Sequence, residues 1–341
     1  MINTNAINDV IKMEPSNLNV SSKISLDDVI LPDEYVETAY KLLRRSLAEC
    51  PRGYDGHYEK IIVPLSGGLD SSTALVAAAN AVGPENTLGV FLYHNNMTDG
   101  EKEDEAVANR LLSDIGSPGK HIDITKLVNA QWEFLENITN GIFPDDFEKE
   151  LRYAECLPRA RAQAMRQLID IENGLPLDTT HVTELTLGNF TNGDFSGAVE
   201  VFEFLLKSEV YKFAELIGVP DYIRTQPKRI SEFSSTHDKM FGADCTYLDP
   251  IVFRYLKGQD QEQITKELDH DPEWMSAIFK RIDQTKFRFY DADPISSMTE
   301  FWDEKVAPAK WVGGMDDFWS TYIGKTTFGR ELQKCREQYM P

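Results

Sequence analysis

The chain has 341 residues, and its 35 Lys and Arg against 56 Asp and Glu give a formal net charge of −21 at pH 7. With 41% hydrophobic residues it can bury a large core, which excludes a small scaffold that depends on disulfides. Because so acidic a chain repels phosphate backbones and anionic lipids, nucleic acid and membranes are not expected as partners. An anionic substrate would need a few locally placed cations.

The four cysteines, Cys50, Cys156, Cys245 and Cys335, are far apart and show no metal-binding spacing. The first residues lack the charged and apolar regions of a secretion signal. No stretch approaches the roughly 18 apolar residues that span a bilayer. These features predict a protein of the cytoplasm.

Four segments differ in their pattern along the chain. Residues 1–27 are polar and aperiodic, which predicts a flexible arm, and residues 28–57 contain one helical pattern. Residues 58–260 predict an α/β domain, and residues 261–341 predict a helical C-terminal extension.

The α/β segment alternates between short apolar runs and helical patterns. The runs that predict strands are residues 60–65, 87–94, 119–124, 175–182 and 198–204. The helical patterns cover residues 75–82, 101–115, 125–140, 157–172 and 207–217. Strands that alternate with helices pair in parallel through right-handed crossovers, so we predict a doubly wound parallel sheet.

The strongest indication of function is the segment Ser66-Gly67-Gly68-Leu69-Asp70-Ser71-Ser72, which follows the first predicted strand directly. Its two glycines let the backbone approach a phosphate, and its serine hydroxyls lie beside the amides of a helix start. Neither G-x-x-x-x-G-K-[ST] nor G-x-G-x-x-G fits, because the lysine is missing and the spacing differs. The pattern predicts an anion-binding loop of another kind.

The Ser-Gly-Gly-x-Asp-Ser pattern resembles the pyrophosphate-binding loop of the PP-loop ATP pyrophosphatases, whose fold is Rossmann-like (adenine nucleotide alpha-hydrolase-like). These enzymes cleave ATP to AMP and pyrophosphate while they activate a carboxylate as an adenylate. Within this superfamily, residues 178–191 resemble the Gly-Thr-x-His-x-x-Glu and Leu-Gly-x-Phe-Thr motifs of ammonia-dependent NAD synthetases. Residues 205–220 resemble a further segment of that family, and the resemblance covers about residues 58–260.

The resemblance implies a role for each matching residue. Asp70 and Glu184 would bind Mg²⁺ and Lys207 would contact the ATP phosphates, so these three are the predicted catalytic residues. The residues predicted to bind ATP are Ser66, Gly67, Gly68, Leu69, Asp70, Ser71, Ser72, Thr179 and Lys207. Those predicted to bind the second substrate are Arg161, His181 and Asn192. The family also implies ATP as co-substrate and a homodimer.

The substrate side departs from the family pattern, whereas the ATP side is nearly intact. Gln163 replaces a family arginine, Asn192 a lysine and Asp178 a glycine. The resemblance implies a C–N ligase that amidates deamido-NAD. The alternatives are an ammonia-dependent ligase for another carboxylate and a nucleotide-binding protein without turnover. No cysteine lies in the context of a glutaminase nucleophile, so we expect ammonia, not glutamine, to be the nitrogen donor.

Overall fold

The computed structural model of the chain describes residues 36–292, apart from positions 38, 42, 46, 49–57, 192, 195–198, 203–204, 226–240, 242 and 244. The predicted N-terminal arm and the last part of the predicted C-terminal extension lie outside these residues.

Five parallel strands form one sheet in the order β3-β2-β1-β4-β5. They are Lys60–Leu65 (β1), Thr87–Tyr93 (β2), Gly119–Asp123 (β3), Gly174–Asp178 (β4) and Val199–Glu200 (β5). Side chains alternate between the two faces, so Ile61 and Val63 enter one hydrophobic cluster while Ile62 enters another. Both faces are therefore covered, and the predicted doubly wound sheet is confirmed.

Helices pack on both faces of this sheet. They are the described residues within 36–48 (α1), Leu69–Val82 (α2), Asp99–Ile115 (α3), Thr125–Thr139 (α4), Asp146–Glu172 (α5), Val182–Leu187 (α6), Lys207–Leu216 (α7), Asp221–Arg224 (α8), Cys245–Leu256 (α9), Gln261–Leu268 (α10) and Pro272–Ala292 (α11). Pro84–Asn86 adds a short 3₁₀ turn before β2. Among the residues described, no helix has both the length and the apolar character that crossing a membrane requires.

The last two helices belong to the main core. Ile264 of α10 and Ile278 and Ile282 of α11 are buried in the same hydrophobic cluster as Ile61 and Val63 of β1. The indole nitrogen of Trp274 donates to the carbonyl oxygen of Phe241 at 2.6 Å, which ties the start of α11 to the segment before α9. These helices consequently pack against the elements that carry the site.

The first three strands lie within one residue of their predicted bounds. The fourth was predicted to run to residue 182 but ends at Asp178, because its Oδ1 accepts from the backbone N (2.9 Å) and Oγ1 (2.6 Å) of Thr180 and turns the chain. The fifth is also shorter, since only Val199 and Glu200 pair. Helix α5 starts at Asp146, whereas the sequence predicted a start at residue 157. The prediction was wrong because Pro158, a residue type that favours the first turn of a helix, lies inside this helix.

His270, between α10 and α11, makes the stability of this core depend on pH. Its side chain is 4% exposed, and the rings of Tyr247 and Trp274 pack against it. Burial lowers the pKa of His270 from 6.5 to about 4, against an opposing effect of Asp269. The folded state therefore favours the neutral ring. The stabilisation that comes from the neutral His270 ring is complete above pH 6.5 and is lost as the pH falls towards 4.

We predict that His270→Leu removes much of this acid sensitivity. Between pH 7 and pH 4 the wild type should lose about 3 kcal/mol of unfolding free energy at this site, and the variant should not. Urea unfolding at several pH values measures the difference. Tyr247→Phe is the control, because it alters the neighbouring ring and leaves His270 in place. An unchanged acid slope in His270→Leu would contradict the prediction.

Candidate active site

The candidate site lies at the carboxyl edge of the sheet, between β1 and β4. The chain passes from β1 to β2 on one side and returns through β4 on the other, so the strand order reverses here. Open parallel sheets bind ligands in the crevice at such a reversal. The loops after β1 and β4 carry residues 66–72 and 179–184, and both motifs predicted from the sequence therefore meet at this edge.

The loop after β1 is held in a tight turn by its own hydroxyl groups. Ser71 Oγ accepts from the backbone N of Ser66 at 3.1 Å and donates to the carbonyl oxygen of Gly68 at 3.3 Å. Ser66 Oγ accepts from the backbone N of Gly68 at 3.3 Å. Gly67 has a φ of +76°, in the left-handed region that suits glycine. A preshaped turn at the start of α2 is suited to an anion.

Three charged side chains gather beside this loop. The ammonium of Lys207, at the start of α7, lies 2.6 Å and 2.5 Å from the two carboxylate oxygens of Asp70 on α2. The Lys207 and Asp70 side chains are 12% and 25% exposed. Glu184, on α6, is close enough for its charge to act on both of them. Lys207 is therefore not a solvated surface lysine.

The ionisation of the three groups is linked. Burial and the charge of Asp70 raise the pKa of Glu184 to about 8, although Lys207 opposes the shift. Burial acts to lower the pKa of Lys207, but Asp70 and Glu184 outweigh it and raise that pKa above its ordinary value. The Lys207 ammonium thus faces two carboxyl groups, and burial with the charge of Asp70 favours the protonated form of Glu184. A second cation could replace that proton.

His181 orients Glu184 from the buried side of the site. Nδ1 of His181 accepts from the backbone N of Glu184, and the backbone N of His181 donates to the Glu184 carboxylate, both at 3.3 Å. Because Nδ1 accepts, the ring proton lies on Nε2, 3.4 Å from Glu184 Oε2. The His181 side chain is fully buried, so the structure places this predicted substrate-binding residue beneath the carboxylate.

The other predicted residues are distributed around this centre. Thr179 is half-buried in the loop after β4, and Ser72 is fully buried beneath the loop after β1. Arg161, on α5, extends towards Glu101 with 3.9 Å between Nη2 and the carboxylate, in a position where burial lowers its pKa. Asn192 lies outside the described residues.

Three residues at the site were not among the predicted site residues, although Asp249 matches a closing Leu-Asp motif of the family. Asp249 of α9 is fully buried and bonds to residues beside Glu184 and Lys207. Arg281 of α11 donates to the carbonyl oxygens of Leu187 and Gly188, at 3.1 and 3.0 Å, and holds the end of α6. The third is Asp194, in the segment after α6.

The pKa of Asp194 is unusually high for a carboxyl group. Burial, with a smaller effect of Asp178, raises its pKa to about 7, although the backbone N of Thr191 donates to it at 3.0 Å. Asp178, which replaces a family glycine, is itself 8% exposed. The partly exposed Asp194 and the buried Asp178 therefore lie close enough for their charges to act on each other.

The described residues contain no cluster of three or more His, Cys, Asp or Glu side chains that would enclose a metal ion. The pair formed by Asp70 and Glu184 is nevertheless a suitable donor set for Mg²⁺, which commonly takes one or two carboxylates and completes its shell with phosphate oxygens and water.

The strand order and the serine–glycine turn beside two carboxylates and a lysine define an α/β protein with a site suited to the phosphates of a nucleotide. A family model described as NAD synthase matches residues 36–291. The chain belongs to the NAD synthase family.

Individual relatives agree with this assignment. The NH₃-dependent NAD⁺ synthetase of Hyperthermus butylicus is 30% identical over 242 residues, which cover 69% of this chain and 83% of the relative. That of Trichlorobacter lovleyi is 27% identical over 235 residues, which cover 67% of this chain and 80% of the relative.

Solved structures share the fold at lower identity. The NMN synthetase of Francisella tularensis has a TM-score of 0.59 at 18% identity, over 74% of this chain and 95% of that one. The NH₃-dependent NAD synthetase of Campylobacter jejuni has a TM-score of 0.55 at 19% identity, with the same coverage.

A substitution at Gly67 tests directly whether the loop after β1 binds ATP. A Cβ at this position would lie 2.4 Å from the backbone oxygen of Asp104. We predict that Gly67→Ala displaces the loop and weakens Mg·ATP binding at least tenfold, measured by calorimetry. Gly116→Ala is a matched control, because Gly116 has a φ of +79° but open space around it. Both variants carry the strain of a left-handed alanine, about 1–2 kcal/mol, and only Gly67→Ala adds the clash. Equal ATP affinity in the two variants would contradict the assignment of the loop.

Proposed function

We propose that this chain converts deamido-NAD to NAD, using ATP to activate the carboxylate and ammonia to supply nitrogen. The observation that carries the proposal is the contact of Lys207 with Asp70 beside Glu184, next to a turn suited to phosphate. Membership of the NAD synthase family supports the same reaction.

The first half-reaction transfers AMP to the substrate. One oxygen of the nicotinate carboxylate attacks the α-phosphorus of ATP, the bond to the bridging oxygen breaks, and pyrophosphate leaves with that electron pair. The positive end of α2, where the loop of residues 66–72 meets the helix, and the Lys207 ammonium stabilise the charge that grows on the leaving group. Asp70 holds this ammonium in place before the nucleotide arrives.

Asp70 and Glu184 would hold Mg²⁺ beside the phosphates. When bound, the ion supplies charge neutralisation for the leaving pyrophosphate. The donor set fits because the site brings two carboxyls together, and burial with the charge of Asp70 raises the pKa of Glu184 to about 8. Glu184 would give up its proton to coordinate the cation.

The second half-reaction forms the amide. The nitrogen of ammonia attacks the adenylated carbonyl carbon, AMP leaves with one of the original carboxylate oxygens, and the nitrogen loses a proton. Glutamine hydrolysis would require a reactive thiol. Cys156, whose thiol is described, does not meet this need, because it is buried, donates to the Arg152 carbonyl and has a pKa that burial raises.

A second candidate substrate is a nucleotide carboxylate with fewer phosphates. Asp178 and Asp194 make the substrate side acidic, and Glu101 lies beside Arg161 and partly offsets its charge. Deamido-NAD carries two phosphates, so a mononucleotide such as nicotinate mononucleotide would meet less repulsion.

We also infer a homodimer that works in the cytoplasm. Phe134 and Ile138, at i and i+4 of α4, are 65% and 60% exposed, and Ile142 just beyond the helix is 75% exposed. Apolar side chains presented together in this way favour a self-complementary contact.

The charged centre gives the first functional prediction. Asp70→Asn, Glu184→Gln and Lys207→Met should each lower pyrophosphate release with Mg·ATP, ammonium and deamido-NAD by about two to three orders of magnitude. A surface ion pair provides the matched control: Lys102 and Asp99 are 61% and 96% exposed. Asp99→Asn and Lys102→Met should retain wild-type rates. Wild-type release by the three site variants, in folded protein, would refute the assignment.

The reaction itself is tested by NAD formation in buffer with defined nitrogen donors. We predict turnover of deamido-NAD with ammonium chloride, and at most a few per cent of that rate with glutamine in ammonium-free buffer. Nicotinate mononucleotide is assayed in parallel. Turnover of the mononucleotide alone would establish the second candidate substrate, and equal rates with glutamine would refute the choice of donor.

A further inference from the structure

A buried carboxylate links the two helices that carry Glu184 and Lys207. Asp249 of α9 is 0% exposed. Its Oδ1 accepts from Thr183 Oγ1 at 2.6 Å, and its Oδ2 accepts from the backbone N and Oγ of Ser208, at 2.7 and 2.5 Å. One side chain thus contacts the starts of α6 and α7.

The donors are the immediate neighbours of the charged residues. Thr183 precedes Glu184 on α6, and Ser208 follows Lys207 on α7. The backbone N of Lys207 also donates to Thr183 Oγ1 at 3.1 Å, which closes the connection between the two helix starts. We call Asp249, Thr183 and Ser208 the anchor network.

A buried carboxylate is costly unless it is fully hydrogen-bonded, and apolar residues that fill the same space often give equal stability. Apolar packing between α6, α7 and α9, however, does not fix direction as hydrogen bonds do. The anchor network sets both the separation and the rotation of the two helix starts. Small displacements of reacting groups have large effects on rate, so this constraint acts on chemistry.

We propose that Asp249 is a positioning residue, which holds Glu184 and Lys207 at the spacing needed for adenylation through Thr183 and Ser208. The proposal rests on the proposed function of this site. It assigns Asp249 no contact with substrate or metal.

Residue 183 offers a matched pair of variants. Thr183→Val keeps the shape of the side chain and removes the hydroxyl, whereas Thr183→Ser keeps the hydroxyl and removes a methyl group. A positioning role requires the hydroxyl, and a packing role requires the methyl group. Asp249→Asn is a second variant, since it keeps the shape and removes the charge. Trp274→Phe is the control, because it removes a different buried hydrogen bond near α9.

The first measurement is steady-state NAD formation. We expect Thr183→Val and Asp249→Asn to lower kcat about ten- to a hundredfold with the KM for ATP changed less than about threefold. Thr183→Ser and Trp274→Phe should stay within about threefold of the wild-type kcat. Equal loss in Thr183→Val and Thr183→Ser, or wild-type kcat in Thr183→Val, would overturn the proposal.

The second measurement is hydrogen exchange of the backbone amides of residues 206–210, compared at equal global stability. The amides of Lys207 and Ser208 should exchange at least tenfold faster in Thr183→Val than in Thr183→Ser. Equal exchange in the two variants would refute the anchor even in a variant with altered kcat. A wild type that forms no NAD would refute the proposed function instead, and the exchange experiment would still decide whether the anchor exists.

Discussion

The site depends on keeping one ammonium and two carboxyls together in a small, partly buried volume. Asp70 and Glu184, each with about a quarter of its side chain exposed, repel each other as anions. Lys207 offsets one negative charge, and a proton on Glu184 offsets the other, with a pKa of about 8. The same arrangement gives the site an affinity for a cation and, through the ammonium, for phosphate. The fold has to hold the starts of α2, α6 and α7 side by side against this repulsion.

The sheet supplies part of this constraint and the C-terminal helices supply the rest. The reversal of strand order brings the start of α2 and the start of α6 to the same edge. Asp249 then ties α6 to α7, and Arg281 holds the other end of α6. The family match, over residues 36–291, extends beyond the sheet and includes both residues. The helices after residue 245 support the site as well as enlarging the core.

The sequence predicts the sheet and the loop well, because both have local signals. Apolar runs buried on both faces define the first two strands, β3 is short and mostly exposed, and two glycines mark the turn at residues 66–72. Contacts between distant residues have no such signal. Thr183 and Asp249 are 66 positions apart, and Arg281 and Leu187 are 94 apart, so only the folded structure brings them together. The early start of α5 was missed because Pro158, which favours a helix start, lies inside the helix.

The central claim is that the charged centre promotes attack of a carboxylate oxygen on the α-phosphorus of ATP. The most direct measurement uses deamido-NAD with ¹⁸O in its nicotinate carboxylate, and follows the label by mass spectrometry of the products after amidation. An adenylated intermediate requires one ¹⁸O in the phosphate group of AMP and none in pyrophosphate. Label in inorganic phosphate with ADP as the other product would indicate an acyl phosphate and would contradict this account.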